Sequence, residues 1–177
     1  GNFHGDYISL EMDKLKIVFT RLAMLADRQL NFLMNSNLNN ILPPFANLGT
    51  LGLNLGMQGA QFTSVSTTAE CQTLSYPMYL HSIPNNNENQ DIVSMGTNSA
   101  LLAGKVIENG FQVLTIELIA LIQAIDYLDF SSKLSDVSKN AYDQLRKIVP
   151  KFVEDHALYI DIQNVKDYIF KTKMNIL

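Results

Sequence analysis

Residues 6–35 place apolar side chains on two faces with the period of an α-helix. One face carries Leu15, Val18, Leu22, Leu25 and Phe32. A second face carries Met12, Phe19, Ala23, Ala26, Leu30 and Leu33. The pattern predicts one long helix that is buried on more than one side, because each apolar face needs a covering surface. The charged positions expected to remain in solvent are Asp13, Lys14, Lys16, Arg21, Asp27 and Arg28.

Four more helical patterns follow, separated by segments rich in Pro, Gly and Asn. Residues 36–54 are predicted to be irregular, since they contain two adjacent prolines and two glycines. No segment shows the period-two alternation that is typical of a strand. The fold class is therefore predicted to be all-α, a bundle of long helices. The further helices are expected over 56–74, 97–127, 135–148 and 162–171.

Helix length and low charge both suggest burial against other polypeptide. A helix of about 30 residues is about 45 Å long, which exceeds the expected width of a compact domain of this size. Charged residues make up only 17% of the 177 residues, below the roughly 25% of ordinary soluble domains. We expect the helices to contribute to a multi-subunit helical core, since neighbouring subunits would cover the protruding faces.

Composition excludes several classes of function. The net charge is −4 and no cluster of Lys and Arg occurs, so we expect no nucleic-acid partner. The single cysteine, Cys71, rules out an internal disulfide framework and indicates a reducing compartment, the cytoplasm. The most apolar segment, 110–124, contains Glu117 and is shorter than a membrane span, so we expect a buried helix and no membrane.

The histidines offer no metal site. His4, His81 and His156 are scattered and lack the helical i, i+4 spacing of paired ligands. Each is expected to be structural. The neighbouring carboxylates Glu154 and Asp155 follow Pro150 and are expected to lie on a solvated face.

A cluster of carboxamides between two apolar helices is the strongest candidate for ligand binding. Residues 85–90 read Asn-Asn-Asn-Glu-Asn-Gln. Carboxamides both donate and accept hydrogen bonds, so they can hold a polar ligand without adding charge. The alternative is an Asn-rich surface turn, although turns use Asn singly or in pairs.

The segment Gly1-Asn2-Phe3-His4-Gly5 is the second candidate. Its glycines permit backbone conformations that are closed to other residues, so the segment could present Phe3 to a pocket. The alternative is a simple N-terminal cap with Asp6 in front of the long helix.

Both candidate segments, in this order and at this separation, resemble motifs of the aromatic amino acid ammonia-lyases and the related aminomutases. Gly1–Gly5 is similar to that family's Gly-Asn-Phe-His/Gln-Gly motif, and 89–96 is similar to its second signature. The segments 52–61, 82–84 and 116–118 also match, and 149–162 resembles the family's C-terminal end. The resemblance covers essentially the whole chain.

The resemblance implies a mostly α-helical homotetramer whose active sites combine residues of three subunits. It also implies a methylidene-imidazolone electrophile, which the family makes from an internal Ala-Ser-Gly. That tripeptide does not occur in this chain. The expectation is therefore that residues 1–177 form a single C-terminal helical portion, with an electrophile-bearing domain upstream. This fragment should be inactive alone, and its own N-terminal portion would be a partner.

The resemblance further implies which residues bind an aromatic amino acid substrate. Phe3 matches an aromatic that packs near the electrophile and the ring, Asn89 and Gln90 match pocket amides, and Asn86 and Gln58 occupy pocket positions. No catalytic residue is assigned with certainty within this chain. Histidine enzymes carry Glu where this chain has Gln90, which favours tyrosine or phenylalanine, whereas His4 is shared with the histidine enzymes.

Three functions remain open at this stage. The first is an ammonia-lyase that eliminates ammonia from histidine, tyrosine or phenylalanine to give an aryl-acrylate. The second is an aminomutase, which re-adds the ammonia. The third is a helical assembly module without catalysis.

Overall fold

The computed structural model describes residues 3–172, and this part of the chain is built from helices and loops. Its two β-bridges are isolated, so the all-α class is confirmed. The five predicted helices are observed with ends shifted by at most three residues, and the segment 36–54 that was predicted to be irregular contains one further helix of four residues. The α-helices are α1 (Asp6–Met34), α2 (Ser36–Asn39), α3 (Gln58–Leu74), α4 (Gly96–Tyr127), α5 (Asp136–Ile148) and α6 (Tyr159–Lys171), with 3₁₀ turns at Pro44–Ala46, Met78–Leu80 and Ser131–Lys133.

Asn39 fastens the C-terminal end of α1. Its side-chain nitrogen donates to three carbonyl oxygens at and just beyond the end of the helix, and its oxygen accepts the N–H groups of Ile41 and Leu42. Helix ends leave carbonyls without intrahelical partners. One buried amide therefore both ends the helix and sets the course of the irregular segment that follows.

The chain divides into two compact units, and the larger core lies in the unit formed by Ala26–Val65 and Gln112–Leu177. Apolar residues from α1, α3, α4, α5 and α6 form this core. Arg146 links α5 to α4, because its guanidinium lies 2.7 Å from the Asp126 carboxylate and donates to the Gln123 side-chain oxygen, and both partners lie on α4. The fully or nearly buried members are Leu30, Met34, Met57, Ala60, Ile116, Ile119, Ala120, Ile122, Leu145, Val149 and Val165.

The other unit is formed by Gly1–Leu25 and Ser66–Phe111. Its apolar core is small and includes Ala103, Val106 and Cys71. Burial raises the pKa of the Cys71 thiol, and its Sγ lies 3.9 Å from the carbonyl oxygen of Val106. The thiol is thus a buried structural group, as expected of a free cysteine among small residues.

Part of the solvent-exposed set predicted for α1 is wrong. Asp13 and Lys16 are only 2% and 0% exposed. Together with Ser9 and Thr20 they form a buried row along one face of α1, in which successive members are four, three and four residues apart. The row is polar, so hydrophobic periodicity does not reveal it. It is buried because other parts of the unit supply hydrogen-bond partners, as the Lys16 Nζ–Tyr76 carbonyl contact of 2.9 Å shows.

The two apolar faces of α1 differ in their burial. Ala23, Ala26 and Leu30 of the second face are buried, as predicted. The first face is open, with Val18, Leu22, Leu25 and Phe32 between 46% and 55% exposed. The expectation that both faces are covered is therefore not met by the described residues of this chain.

The apolar helix α4 lies mainly inside the protein. It is long and apolar enough to cross a membrane by length and composition, but 61% of its most apolar stretch is buried within the chain. The core helices of ordinary globular proteins can be equally long and apolar. The burial agrees with the expectation of a protein-covered helix.

Candidate functional site

The amide cluster folds into a tight loop. Asn85 and Gln90 form an antiparallel bridge, in which the N–H of Asn85 donates to the Gln90 carbonyl at 2.9 Å. Asn86, Asn87 and Glu88 between them all have positive φ, from 53° to 64°. Asn adopts this left-handed region more readily than most residues. The backbone conformation of the turn therefore explains why Asn occurs at positions 86 and 87. It does not explain the amides at Asn89 and Gln90.

The stem of this loop is closed by Ser82. Its hydroxyl donates to the carbonyl of Asp91 at 3.0 Å and accepts the N–H of Val93 at 3.2 Å. Gln90 is half-buried just above this stem, whereas Asn86 and Asn89 are exposed. Ser82 thus holds the two sides of the loop together and positions the Gln90 side of it.

The Phe3 motif forms the turn that leads into α1. Phe3 is 90% exposed, and its ring meets that of His4 edge to face with centroids 5.0 Å apart. Gly5 has a φ of +71°, a conformation that favours glycine. The aromatic ring therefore lies in solvent and not in the apolar core. The first two residues of the motif, Gly1 and Asn2, lie outside the described residues.

Hydrogen bonds join the two candidate segments within their unit. The Ser94 hydroxyl, just after the amide loop, donates to the carbonyl of His4. The Ser9 hydroxyl donates to the carbonyl of Ser94 at 2.5 Å. Both serines are buried. The structure thus brings the start of α1 and the end of the amide loop together, although they are about 90 residues apart.

A buried ion pair lies one turn further along α1. The Asp13 carboxylate is 2.7 Å from Lys16 Nζ, accepts the Ser99 hydroxyl at 2.6 Å, and accepts the Tyr79 N–H at 2.8 Å. Burial acts to raise the pKa of Asp13, but the hydrogen bonds from Lys16, Ser99 and the backbone outweigh it and leave the pKa lowered. The carboxylate therefore ties α1 to α4 and to the Met78–Leu80 turn.

Sequence reasoning missed this polar row. The sequence does contain a sign of this row, because its four members are spaced so that they share one face of the helix: Ser9, Asp13, Lys16 and Thr20. A face that mixes an acid, a base and hydroxyls usually lies in solvent, so the signal is weak. It becomes recognisable only when the partner hydroxyls and carbonyls are known.

Gln58 belongs to the other compact unit, where it begins α3 and is half-buried. The loop before it is held by Asp155, whose carboxylate accepts the N–H groups of Leu55 and Gly56 at 2.7 and 2.9 Å. Asp155 is exposed, as predicted. Its role in fixing the loop that leads to Gln58 was not predicted.

Gly56→Ala is expected to destabilise the chain by at least about 2 kcal/mol. Gly56 has a φ of +59°, and an added Cβ would lie 2.8 Å from the Phe45 carbonyl oxygen and 2.9 Å from Asn47 Cα. Urea unfolding measures the effect. The control is Gly59→Ala, where a Cβ meets nothing within 4 Å and helix propensity favours Ala by up to about 1 kcal/mol. Equal stabilities of the two variants would contradict the close packing around Gly56.

Together, these residues can position a polar ligand but show no complete reaction centre. The amide loop and the turn that carries the exposed Phe3 ring are joined through Ser94, and amides and an aromatic ring suit recognition of an uncharged polar or aromatic group. Among the described residues, the carboxyl whose pKa is raised furthest is Glu117, to about 7 by burial alone. It lies in the other unit from the amide loop.

Comparison with known proteins identifies the family. Its profile, described as aromatic amino acid lyase, matches residues 1–147. The chain is 39% identical over 166 residues to the MIO-dependent tyrosine 2,3-aminomutase of Streptomyces globisporus, covering 94% of this chain and 31% of that protein. It is 37% identical over 174 residues to histidine ammonia-lyase 1 of Fusobacterium nucleatum, covering 98% and 34%.

A solved structure gives the same result. The phenylalanine aminomutase of Pantoea agglomerans matches with a TM-score of 0.93 and 33% identity, over 97% of this chain and 33% of that one. The chain thus spans about a third of the length of the relatives it matches. On sequence and on fold, the chain belongs to the aromatic amino acid lyase family.

Proposed function

We propose that the complete protein carrying this chain is an ammonia-lyase that converts tyrosine or phenylalanine into an aryl-acrylate, with histidine as the alternative substrate. The observation that carries the proposal is the junction of the Phe3 turn with the Asn89–Gln90 side of the amide loop through Ser94. It places an exposed aromatic ring and two amides in one compact unit. Elimination breaks the Cα–N bond and removes a β-proton, so ammonia and the acrylate account for all atoms of the substrate.

The proposal includes a methylidene-imidazolone group supplied by another part of the complete protein. When present, that group supplies the electrophile for the substrate amine. The chain cannot form it, since Ala-Ser-Gly does not occur among the 177 residues. The residues here fit a packing role beside it, because the Phe3 ring is 90% exposed and free to stack on a planar group.

The substrate-binding roles follow from the chemistry of each side chain. Phe3 would pack against the ring, while Asn89 and Gln90 would donate to and accept from polar groups of the substrate. Asn86 and Gln58 are proposed as further pocket residues. Gln90 is half-buried, so its amide is better suited than an exposed one to discriminate between a neutral and a basic ring.

The proposed assembly is a cytoplasmic homotetramer in which this chain alone is inactive. The exposed apolar face of α1 supports assembly, since it needs a covering surface. Activity assays on the isolated chain and on the complete protein test the inactivity directly. Activity of the 177 residues alone would contradict the proposal.

An aminomutase is the second candidate, favoured by the 39% identity to a tyrosine 2,3-aminomutase. Product analysis of the complete protein separates the two candidates. Incubation with each aromatic amino acid should give the aryl-acrylate and free ammonia. A β-amino acid as the main product would replace the lyase proposal by the mutase.

Gln90→Glu in the complete protein is expected to shift the kcat/KM ratio of histidine to tyrosine by about tenfold or more. A carboxylate stabilises a basic imidazole, and it is poorly compensated beside a neutral ring. The measurement is kcat/KM for both substrates. The matched control is Asn87→Asp, which adds the same charge at a neighbouring position whose φ of 56° marks a turn role. Equal shifts in both variants would assign the effect to loop charge and remove Gln90 as the selector.

A further inference from the structure

Glu117 is a buried carboxyl without a partner in the described chain. It lies on α4 and is only 8% exposed. Among residues 3–172, its side chain makes no hydrogen bond or ion pair, and burial is the cause of its raised pKa. An ionised carboxylate in such surroundings is costly unless a cation compensates it. The group is therefore suited to a ligand that brings a positive charge.

Glu117 lines a cavity that lies within one compact unit, and we call it the Glu117 cavity. Its volume is about 420 Å³, within the roughly 300–1,000 Å³ that is typical of small-molecule sites. Every lining residue belongs to the unit formed by Ala26–Val65 and Gln112–Leu177, whereas the amide loop belongs to the other unit. The lining residues are Glu117 and Leu121 of α4 and Arg28, Gln29, Phe32 and Leu33 of α1.

The cavity offers charges of both signs. Arg28 lines it together with Glu117, and its exposed guanidinium has no partner among the described residues. Because the carboxylate is buried and the guanidinium is at the surface, a ligand ammonium group fits the inner part and a ligand carboxylate fits the outer part. A simple cation would leave Arg28 unpaired, and a simple anion would leave Glu117 unpaired. A ligand that carries both charges satisfies both residues.

The rest of the lining is apolar or neutral. Phe32, Leu33 and Leu121 supply apolar surface, and Phe32 is 51% exposed. A bound aliphatic group would remove part of this surface from water, which is favourable. The Gln29 amide can donate to or accept from either polar group of a ligand. The lining therefore suits a small molecule with an ammonium, a carboxylate and an apolar group.

We propose that the Glu117 cavity binds a free amino acid with an apolar side chain. The ammonium group would pair with Glu117, the carboxylate would pair with Arg28, and the side chain would pack against Phe32. An arginine suits this role because its guanidinium can donate two parallel hydrogen bonds to one carboxylate. The proposal goes beyond the lyase function, since it concerns a second site and needs neither the electrophile nor the amide loop.

The test is calorimetric titration of the full 177-residue chain with L-leucine at pH 8. Leucine has no aromatic ring, so it is not a substrate of the proposed lyase. We expect saturable binding. Two matched ligands test the two charges, because 4-methylpentanoate lacks the ammonium group and 3-methylbutylamine lacks the carboxylate. Each should bind at least about tenfold more weakly than leucine.

Substitutions link the binding to this cavity. Glu117→Gln and Arg28→Gln should each weaken leucine binding at least about tenfold. Arg28→Gln should not weaken the binding of 3-methylbutylamine, since that ligand has no carboxylate to lose a partner. Arg28 is exposed, so its variant remains informative if circular dichroism shows that Glu117→Gln fails to fold. The matched control is Arg21→Gln, exposed on the same helix, which should bind leucine like wild type.

The absence of saturable binding up to the solubility limit of leucine overturns the proposal, and so does binding that survives both substitutions. An amine that binds as tightly as leucine also overturns it, because the site would then recognise a cation without Arg28. Leucine binding that disappears as the protein concentration rises would assign the cavity to another copy of the chain and overturn the proposal too. None of these results affects the lyase proposal, which is tested by its products.

Discussion

Asp13→Ala is expected to lower the free energy of unfolding by about 3–5 kcal/mol, because it leaves the Lys16 ammonium buried without its counterion. The Lys16 side chain is fully buried and the two charged groups lie 2.7 Å apart. The variant also removes the acceptor of the Ser99 hydroxyl and the Tyr79 N–H. Urea unfolding at neutral pH measures the loss.

The same helix supplies the control. Glu11 and Lys14 have the same i, i+3 spacing, but both side chains are more than half exposed. Glu11→Ala should change stability by less than about 1 kcal/mol. The double variant Asp13→Ala, Lys16→Met should recover most of the loss, since removing both charges leaves none uncompensated. An Asp13→Ala variant as stable as Glu11→Ala would show that the pair contributes nothing.

Glu117→Gln is expected to make the dilute, monomeric chain more stable than wild type by roughly 3 kcal/mol at pH 8 and equally stable at pH 4. Burial raises the pKa of Glu117 from 4.5 to about 7. Below pH 4.5 the group is protonated in both the folded and the unfolded chain, so it contributes no pH dependence. Between 4.5 and 7 the unfolded chain loses this proton first, so wild-type stability falls as the pH rises. Above about pH 7 the group is ionised in both states, so its cost to the stability of the wild-type chain no longer changes with pH.

The measurement is the difference in unfolding free energy between variant and wild type across this pH range. Taking the difference cancels the titration of the other carboxyls. Glu108→Gln, exposed on the same helix, should show no such rise. A flat difference for Glu117→Gln would show that the carboxyl is solvated in the folded chain.

The helices could be predicted from sequence because their signals are local. α1 and α4 have long apolar periodicity, and Ser135 caps α5 by accepting the N–H of Ser138. Asn39 could not be recognised as the cap that ends α1, since its bonds depend on where the chain goes next. The amide loop was located correctly, but its backbone shows that Asn86 and Asn87 also serve the turn.

The buried row of α1 shows why pattern alone is insufficient. Hydrophobic periodicity ranks the face of Asp13 and Lys16 as solvent-exposed and the face of Leu22 and Leu25 as buried. The structure of the described chain reverses both. Polar groups can be buried when each finds a partner, and apolar groups stay exposed when the described chain supplies no surface to cover them.

The sequence by itself determined the all-α class, the helix positions, the two candidate motifs and the family to which they point, because these depend on local periodicity and on residue order. Tertiary structure alone decided that Ser94 and Ser9 join the Phe3 turn to the amide loop. It also decided that Asp13 and Lys16 are buried together while Glu117 is buried alone. The physical reason is that the cost of burying a polar group depends on partners that are distant in the chain, and no local pattern specifies them.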